Sequence, residues 1–379
     1  MGKAKSGIEN ALLGLSKKYK MNLDFDFLDT GYAMLNMVMG GGLPMGKMIE
    51  IFSPSAYGKT TVVLSICKNL CREGHKVIYI DAEGSINQLV EDMGFYKEGL
   101  IWDEEHPDRP FVIFQTSYFE DIEEILEKTV PKYDEDGNPM DSDFRLVVID
   151  SVAMLSPREY RGDAGEKDGI SIASKQPGVV AKLMTAFCRK FNGYKTAYNM
   201  SFFFINQMRA DVSGSFVKDV NKTTGGMALT YAEDIRLKLV ARKGGGEEKK
   251  VITTGAGEKQ EIITGREVGI TAIKNKLTFG GIVLPLYVMY GKGISNLAAL
   301  RYILPKKTIV KDGKQVPCIE RTGSWSTLNL PSKSIRCNGD KMLKDALREN
   351  AQEAFSLIDP EVDFNLLVEE DTSGDYEDE

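Results

Sequence analysis

The chain of 379 residues has a net charge of −7, and 42% of its residues are hydrophobic while 27% are charged. These proportions are typical of a soluble globular protein, and no apolar run is long enough to span a membrane. Five scattered cysteines without a signal peptide predict reduced thiols and a cytoplasmic location.

The negative charge is concentrated at the end of the sequence. Residues 359–379 carry ten carboxylates and no Lys or Arg, which leaves a net charge of +3 on the rest of the chain. An acidic tail on a basic body is typical of nucleic-acid-binding proteins. A disordered tail that only keeps the protein soluble would have the same composition.

The composition predicts four regions in chain order. Residues 7–19 have apolar residues at helical spacing, in a stripe too short to fold alone, so it docks on this chain or on a neighbouring one. The predicted regions are a docking helix and linker at 1–30, a core at 31–290, a small C-terminal domain at 291–358 and a disordered acidic tail at 359–379.

Residues 49–64 predict a phosphate-binding loop, because a short apolar strand turns through small residues into an aliphatic helix. Backbone N–H groups and the helix N-terminus would surround a polyphosphate. Lys59 would reach the β- and γ-phosphates, and the Thr60 hydroxyl would ligate Mg²⁺. The predicted nucleotide contacts in this loop are Ser53, Pro54, Ser55, Ala56, Tyr57, Gly58, Lys59, Thr60 and Thr61. Ser53 replaces the usual first glycine and fits if its φ is negative.

Continuously apolar strands separated by helices predict an α/β fold with a parallel sheet covered on both faces. These strands lie at 49–52, 77–80, 112–114, 146–149 and 202–205. Later strands at 235–240, 268–273 and 283–290 are predicted to be antiparallel, with turns at 242–250 and 254–259. The C-terminal domain is predicted to hold helices at 296–304 and 341–355 and a hairpin at 308–328.

Polar residues follow several core strands, at the sheet edge where open α/β sheets bind ligands. Asp150 is the predicted acidic partner of Mg²⁺, although a helix N-cap is the alternative. Glu83 is the predicted base that activates water, with a surface helix residue as the alternative. Gln207 would sense a γ-phosphate and release the segment that follows it.

Two loops rich in glycine and charge, at about 159–177 and 208–226, are predicted to bind single-stranded DNA. An active-site lid would have a similar composition to the second loop. The predicted DNA contacts are Lys182, Arg189, Arg209, Phe216, Lys222, Thr223, Thr224, Gly225 and Gly226.

Lys274 and Lys276 close a later strand and project to the same face. They lie too far along the predicted topology to reach the phosphate loop of their own subunit. Basic residues can also be supplied by a neighbouring subunit. An exposed strand end is the alternative.

Taken together, these segments resemble bacterial RecA recombinases, in a divergent form, over about residues 7–330. The resemblance is carried by Leu-Pro-Met-Gly (43–46), Gly-Lys-Thr-Thr (58–61), Tyr-Ile-Asp-Ala-Glu (79–83), Val-Val-Ile-Asp-Ser-Val-Ala (147–153), Phe-Ile-Asn-Gln (204–207), Thr-Thr-Gly-Gly (223–226) and Lys-Asn-Lys (274–276). It implies a RecA-like P-loop ATPase core with a mostly parallel central sheet, an N-terminal helix and a small α+β C-terminal domain.

The resemblance also implies an activity. It implies a helical filament on single-stranded DNA that pairs with homologous duplex DNA and exchanges strands, with ATP, Mg²⁺ and loading or mediator proteins and without a membrane. The implied catalytic residues are Glu83, Lys59, Gln207, Lys274 and Lys276, where the lysine pair contacts ATP from the neighbouring subunit. Tyr290 matches a tyrosine that contacts adenine across the same interface.

The sequence departs from the family pattern at several points. Val90 stands where the family usually has a ring beside the adenine, and the first DNA loop is longer, with Ile170 or Ile172 as the inserted residue. The turn region 243–265 is also longer. A ring helicase and a non-catalytic, ATP-gated DNA-coating protein are the competing functions. The lysine pair, the docking helix and the acidic tail favour the recombinase.

Overall fold

The computed structural model describes residues 26–135, 137–158, 179–208, 221–242, 247–253, 259–278 and 280–358. The predicted docking helix, the first DNA loop and the acidic tail lie outside the described residues. Arg209 and Phe216 of the second DNA loop also lie outside them. Part of the predicted linker is described, and its residues Phe27–Leu28 form a short strand.

The described chain alternates strands and helices in its first half and consists mainly of strands afterwards. The helices are α1 (Ala33–Met39), α2 (Lys59–Arg72), α3 (Asn87–Asp92), α4 (Phe119–Thr129), α5 (Val179–Tyr198), α6 (Gly226–Ala232), α7 (Leu297–Ile303), α8 (Gly339–Glu349) and α9 (Ala351–Ser356), with 3₁₀ turns at Val152–Met154 and Leu304–Lys306. The strands are β1 (Phe27–Leu28), β2 (Leu43–Pro44), β3 (Met48–Ser53), β4 (Lys76–Asp81), β5 (Phe111–Phe114), β6 (Phe144–Asp150), β7 (Ser201–Gln207), β8 (Ile235–Ala241), β9 (Glu247–Thr253), β10 (Lys259–Asn275), β11 (Leu284–Met289), β12 (Gly293–Ser295), β13 (Thr308–Lys311), β14 (Lys314–Pro317), β15 (Ile319–Thr322), β16 (Trp325–Asn329) and β17 (Ser334–Asn338).

A large, mostly parallel sheet organises the core, which confirms the predicted fold class. Its order within the described residues is β12-β11-β10-β8-β3-β7-β6-β4-β5, and β9 pairs with β10. The strands from β8 to β5 run parallel, whereas β9, β10, β11 and β12 pair antiparallel. The prediction of an antiparallel β8 was therefore correct for its pairing with β10 and wrong for its pairing with β3, which is parallel.

Alternating side chains of the central strands fill two separate cores. Val77 and Tyr79 of β4 pack with α1 and α2 on one face, whereas Ile78 and Ile80 pack with α4 and α5 on the other. Successive residues of a strand point to opposite faces. Both faces are apolar because both are covered by helices, and this explains the continuous hydrophobic runs in the sequence.

Two predicted elements differ from the structure. The turn predicted at 242–250 contains the beginning of β9, whose charged side chains are tolerated because they form cross-strand ion pairs such as Lys249–Glu261. The helix predicted at 341–355 is divided into α8 and α9 at Asn350. The Asn350 side-chain amide donates to the Ala346 carbonyl at 2.7 Å, which satisfies an acceptor at the end of α8.

The C-terminal residues form a small unit with its own apolar cluster. Leu300 of α7, Leu328 of β16 and Leu347 of α8 are fully buried in this cluster. The unit contains the β13–β14 hairpin and the three-stranded sheet β15-β16-β17. No helix in the part of the chain that the structure describes is long and apolar enough to span a membrane.

A ring cluster between α5 and the sheet generates a stability prediction. Phe191 is fully buried, and its ring centre lies 4.2 Å from that of Phe202 and 4.0 Å from that of Phe187. Phe191→Ala should lower the free energy of unfolding by about 3–5 kcal/mol, because it removes buried surface and leaves a cavity. Urea unfolding measures this change. The control is Val310→Ala, since Val310 is 72% exposed; similar losses for the two variants would contradict the packing account.

Candidate functional site

The carboxyl edge of the parallel sheet opens into a cleft of about 370 Å³. The end of β3, the start of α2 and the ends of β6 and β7 border it. Its lining residues are Ser55, Ala56, Gly58, Lys59, Thr60, Thr61, Glu83, Asp150, Ser151, Ile205, Gln207 and Tyr290. The structure therefore gathers most of the predicted nucleotide, metal and catalytic residues of the core in one place.

The Ser53 hydroxyl stabilises the beginning of the loop from residue 53 to residue 61. It donates to the Pro54 carbonyl at 2.7 Å, and the Ser53 φ lies outside the left-handed region. The Lys59 ammonium lies 3.2 Å from the Pro54 carbonyl and 3.3 Å from the Ser53 hydroxyl. Serine thus replaces the usual glycine without backbone strain and helps to hold the lysine. Burial lowers the pKa of Lys59, and the carboxylates of Asp150 and Glu83 oppose this shift.

Gly58 allows β11 to pack against the loop. Its φ is +80°, and a Cβ placed on Gly58 would lie 2.7 Å from Val288 Cγ1. Any other residue would therefore combine an unfavourable backbone with a steric clash. The close approach brings the end of β11 to the mouth of the cleft.

Thr60 and Asp150 offer oxygen atoms at the deep end of the cleft. The Thr60 hydroxyl donates to Asp150 Oδ2 at 2.9 Å, and the Tyr79 hydroxyl donates to the same atom at 2.7 Å. Burial raises the pKa of Asp150 to about 6, although both hydroxyl donors act in the opposite direction. Mg²⁺ prefers hard oxygen ligands and keeps several waters and phosphate oxygens. One hydroxyl and one carboxylate therefore fit a magnesium ion bound with a nucleotide.

Glu83 faces the cleft from the turn after β4. Its Oε1 accepts from the Ser151 hydroxyl at 2.5 Å and from the Gln207 side-chain amide at 3.3 Å. The buried Asp81 accepts from the Gly84 amide at 2.8 Å and so fixes this turn. Glu83 is exposed and held by two neutral donors, which suits a carboxylate that must accept a proton from water.

A buried ion pair lies behind the cleft. The Arg236 Nε of β8 donates to Glu50 Oε2 of β3 at 2.7 Å, and Glu50 is fully buried. The Asn206 side-chain amide donates to Glu50 Oε1 at 2.8 Å, and Asn206 Oδ1 accepts from the Gln207 backbone at 2.9 Å. The ion pair is therefore connected to Gln207 through the side chain of Asn206.

The same buried groups hold the segment that returns from the second predicted DNA loop. Arg236 donates to the Asn221 carbonyl and to the Thr223 hydroxyl, both at 3.2 Å. Asn206 donates to the Thr224 carbonyl at 2.7 Å. These contacts attach residues 221–224 to the sheet beside the cleft.

The predicted DNA contacts fall into different environments. Lys182 and Arg189 of α5 are exposed, as are Lys222 and Gly226. In contrast, Thr224 and Gly225 are buried, and the Thr223 hydroxyl is bonded to Arg236. These three residues anchor the segment in this structure, and their contact with DNA stays a prediction.

The ends of the two predicted DNA loops lie together. Met208 and Thr223, which flank the second loop, form an antiparallel bridge. A Cβ placed on Gly226 would lie 3.8 Å from Ala181 Cβ, at the beginning of the helix that follows the first loop. The second loop therefore leaves and returns to the core next to Gln207, close to the beginning of the helix that follows the first loop.

The lysine pair lies at the opposite edge of the sheet from its own phosphate loop. Lys274 pairs with Arg236 near the amino end of β8, whereas the phosphate loop follows the carboxyl end of the parallel strand β3. Lys274 Nζ donates to the Thr230 carbonyl at 2.7 Å, and Lys276 Nζ lies 3.1 Å from Asp234 Oδ1. The pair cannot complete the cleft of its own chain.

The comparisons with known proteins agree with this geometry. The family model described as "RecA N-terminal domain" matches residues 4–295. The chain belongs to the RecA family.

Several curated relatives are identical to this chain at more than a quarter of the aligned positions. The "Protein RecA" of Clostridioides difficile is 29% identical over 358 residues, which cover 93% of this chain and 87% of that protein. The "Protein RecA" of Colwellia psychrerythraea is 27% identical over 322 residues, which cover 84% of this chain and 76% of that protein. A solved structure titled "Crystal structure of the RadB recombinase" matches with 20% identity and a TM-score of 0.46, and covers 71% of this chain and 98% of that one.

Two residues that the RecA resemblance singled out have distinct places in the structure. Tyr290 lines the cleft of its own chain, because β11 packs on Gly58, whereas the resemblance implied a contact with adenine across a subunit interface. Val90 is fully buried in the apolar core and is not among the residues that line the described cleft.

The sequence analysis missed the buried ion pair and its amide, Glu50, Arg236 and Asn206. The available signal was a charged residue inside each of two apolar strands, Glu50 in β3 and Arg236 in β8. Charged residues are almost never fully buried unless they are paired. A charged residue of each sign within two apolar core strands therefore predicts that the two residues form an ion pair.

A second buried carboxylate beside this pair, Glu233, is fully shielded from solvent. Arg236 Nε lies 3.0 Å from Glu233 Oε2, but its single N–H donates to Glu50, and neither Glu233 oxygen has a hydrogen bond within the described residues. Burial, and then the neighbouring Glu50, raises the pKa of Glu233 well above its ordinary value. Glu233 is therefore protonated in the folded chain over a range of pH in which the unfolded chain ionises it.

This difference predicts how stability depends on pH. The folded state binds one more proton than the unfolded state above about pH 4.5, so wild-type stability falls as pH rises until the raised folded pKa is passed. Glu233→Gln is neutral at every pH and removes this loss. Its stability relative to wild type should grow by up to about 1.4 kcal/mol per pH unit within that window.

Urea unfolding of both proteins between about pH 5 and about pH 8 measures the difference. Glu104→Gln, at an exposed position, is the matched control. A stability difference for Glu233→Gln that stays constant with pH would show that Glu233 is ionised in the folded protein.

Proposed function

We propose that this RecA-family protein is an ATP-dependent recombinase. It forms a helical filament on single-stranded DNA and catalyses homologous pairing and strand exchange, with ATP hydrolysis stimulated by DNA. The single observation that carries the proposal is the convergence of Lys59, Thr60, Asp150, Glu83 and Gln207 in one cleft. Membership of the RecA family supports the assignment of that cleft to ATP.

The first step of the proposed mechanism is binding of the triphosphate by the loop. Lys59 exchanges its contacts with Ser53 and Pro54 for the β- and γ-phosphates, and backbone N–H groups at the start of α2 face the phosphate oxygens. Thr60 and Asp150 would hold Mg²⁺, which neutralises charge on the phosphates when bound. Tyr79 keeps Asp150 in place through its hydroxyl.

The second step is activation of water by Glu83. An ionised carboxylate orients a water molecule and accepts its proton as the water oxygen attacks the γ-phosphorus. The bond from that phosphorus to the bridging oxygen breaks, and ADP is the leaving group. The Ser151 hydroxyl and the Gln207 amide hold Glu83 in the cleft without adding charge. Lys59 stabilises the negative charge that develops on the phosphate oxygens.

Gln207 couples this chemistry to DNA in the proposal. A γ-phosphate competes with Glu83 for the Gln207 amide, and any movement of Gln207 is passed to Asn206, which holds the Thr224 carbonyl. The DNA-binding groups proposed on the two loops and α5 are Lys182, Arg189, Arg209, Phe216, Lys222, Thr223, Thr224, Gly225 and Gly226. Single-stranded DNA binds in this area, and homologous duplex DNA binds as the second partner.

The remaining assignments complete the proposal. Residues 1–30 dock on the neighbouring subunit, 31–290 form the ATPase core, 291–358 form the C-terminal domain, and the tail at 359–379 restrains DNA binding. Lys274 and Lys276 reach the ATP of the neighbouring subunit. Loading or mediator proteins assist assembly, and the protein acts in the cytoplasm in DNA recombination and repair.

Three measurements on the same preparation test the function. ATP hydrolysis should rise when single-stranded DNA is added, strand exchange should proceed between homologous substrates, and electron microscopy with a non-hydrolysable ATP analogue should show continuous helical filaments. Closed six-membered rings would indicate a helicase instead. Filaments without hydrolysis would indicate an ATP-gated coating protein.

Removal of the proposed base should separate hydrolysis from binding. Glu83→Gln keeps the shape of the side chain but cannot accept a proton, so the rate of ATP hydrolysis should fall by roughly 10²–10⁴-fold. Binding of ATP and of single-stranded DNA should persist, and a coupled phosphate-release assay with a filter-binding assay measures both. Glu105→Gln, at an exposed position away from the cleft, is the control. Near-normal turnover of the Glu83 variant would exclude Glu83 as the base.

Mixing of two inactive variants tests the contribution of the neighbouring subunit. Lys59→Ala removes the lysine of the phosphate loop. The double variant Lys274→Ala/Lys276→Ala removes the lysine pair. Each of these two variants alone should therefore lack DNA-stimulated hydrolysis. A mixed filament forms interfaces in which one subunit supplies an intact loop and the other an intact pair. Titrated mixtures should therefore hydrolyse ATP faster than either parent. Activity that never exceeds the better parent would argue that the lysines do not act across the interface.

A further inference from the structure

One end of the cleft is assigned to the triphosphate. At the other end, Tyr290 is the one described residue that has been assigned a nucleotide contact so far. Lys59, Thr60 and Asp150 mark the phosphate end, so the nucleoside must extend along the cleft away from them. Tyr290 lies in the lining and is 41% exposed, so part of its side chain is available to a ligand. The groups that share its side of the sheet are therefore candidates for contact with the base.

Strand register identifies Arg266 as the neighbour of Tyr290. Arg266 of β10 pairs with Val288 of β11, and the Tyr290 amide donates to the Thr264 carbonyl at 2.9 Å in the next position of the ladder. Side chains two residues apart on a strand, and their cross-strand partners, project to the same face. Arg266, Val288 and Tyr290 consequently share one face.

This face is turned to the phosphate loop. Val288 lies against Gly58, as the 2.7 Å approach to the glycine position shows. The Arg266 guanidinium carbon lies 5.8 Å from the centre of the Tyr57 ring, which belongs to the same loop. Arg266 is thus placed beside the loop by its own contact with Tyr57 and by its pairing with Val288.

Arg266 is held in position but is not covered. Its guanidinium donates to Glu247 Oε1 of β9 at 2.6 Å, and 31% of the Arg266 side chain remains exposed. A guanidinium is planar and permanently charged, and it stacks on aromatic rings and on nucleobases. The ion pair occupies one guanidinium nitrogen, and the exposed part of the side chain is available for such contact.

We propose that Arg266 is a nucleotide-binding residue that stacks its guanidinium on the base of the ATP bound in the cleft of the same chain, next to Tyr290. This proposal rests on the proposed ATP binding and extends it to the base. It supplies a flat group beside the base, a role that the buried Val90 cannot fill. It also gives the β9–β10 hairpin a function, because Glu247 of β9 orients the guanidinium.

Titration calorimetry with Mg²⁺ tests the proposal with two ligands, ATP and inorganic tripolyphosphate. Arg266→Ala should weaken ATP binding by about 5- to 50-fold, the range expected for one lost stacking contact, and should leave tripolyphosphate binding unchanged. Arg266→Lys should lose nearly as much, because an ammonium keeps the charge but has no plane. Lys249→Ala is the control, since its ion pair with Glu261 lies on the same hairpin.

Each other outcome points to a different explanation. Equal losses for ATP and tripolyphosphate would show a phosphate contact and overturn the stacking role, as would full affinity in Arg266→Lys. Unchanged ATP affinity in Arg266→Ala overturns it directly. Wild-type protein that binds neither ligand would refute the proposed function itself.

Discussion

The buried pair of Arg236 and Glu50 is the interaction on which the working edge of the sheet depends. It joins two central strands, and removal of one partner would leave an uncompensated buried charge, at a cost of about 3–5 kcal/mol. Replacement of both partners by apolar residues could preserve the strands. It could not preserve the contacts to Asn221 and Thr223, so the pair explains attachment of the returning segment better than it explains stability.

A neutral amide next to this pair separates the rigid part of the site from the part that can move. Asn206 has its donors fixed by Glu50 and by the Thr224 carbonyl, whereas the adjacent Gln207 is exposed and makes a longer bond to Glu83. Exchange of that bond for one to a phosphate costs little, because neither state buries an unpaired charge. A residue with both amide hydrogens bonded, followed by an exposed residue with one longer bond, suits the proposed transmission of the nucleotide state to the DNA loops.

The sequence allowed the parallel core and the phosphate loop to be predicted because both depend on local patterns. Apolar runs bounded by turn residues define β3, β4, β6 and β7, and their order along the chain places their polar ends at one edge. Register and packing are not local. The position of Tyr290 in its own cleft depends on β11 meeting Gly58, and Arg266 becomes a neighbour only through the β10–β11 pairing. The charged β9 resembles a turn until its cross-strand partners are known.

The short helix α6 connects the two edges of the sheet. It begins at Gly226, directly after the anchored residues 221–224, and its last turn supplies the carbonyls that hold Lys274. Seven helical residues span about 10 Å, and a helix of this length moves as a rigid unit. If the lysine pair serves the neighbouring ATP as proposed, a shift of the DNA-side segment must either displace Lys274 or break its bonds to α6. In the proposed filament, one helix would therefore make DNA binding in one subunit and nucleotide contact in the next mutually dependent, without any change in the central sheet.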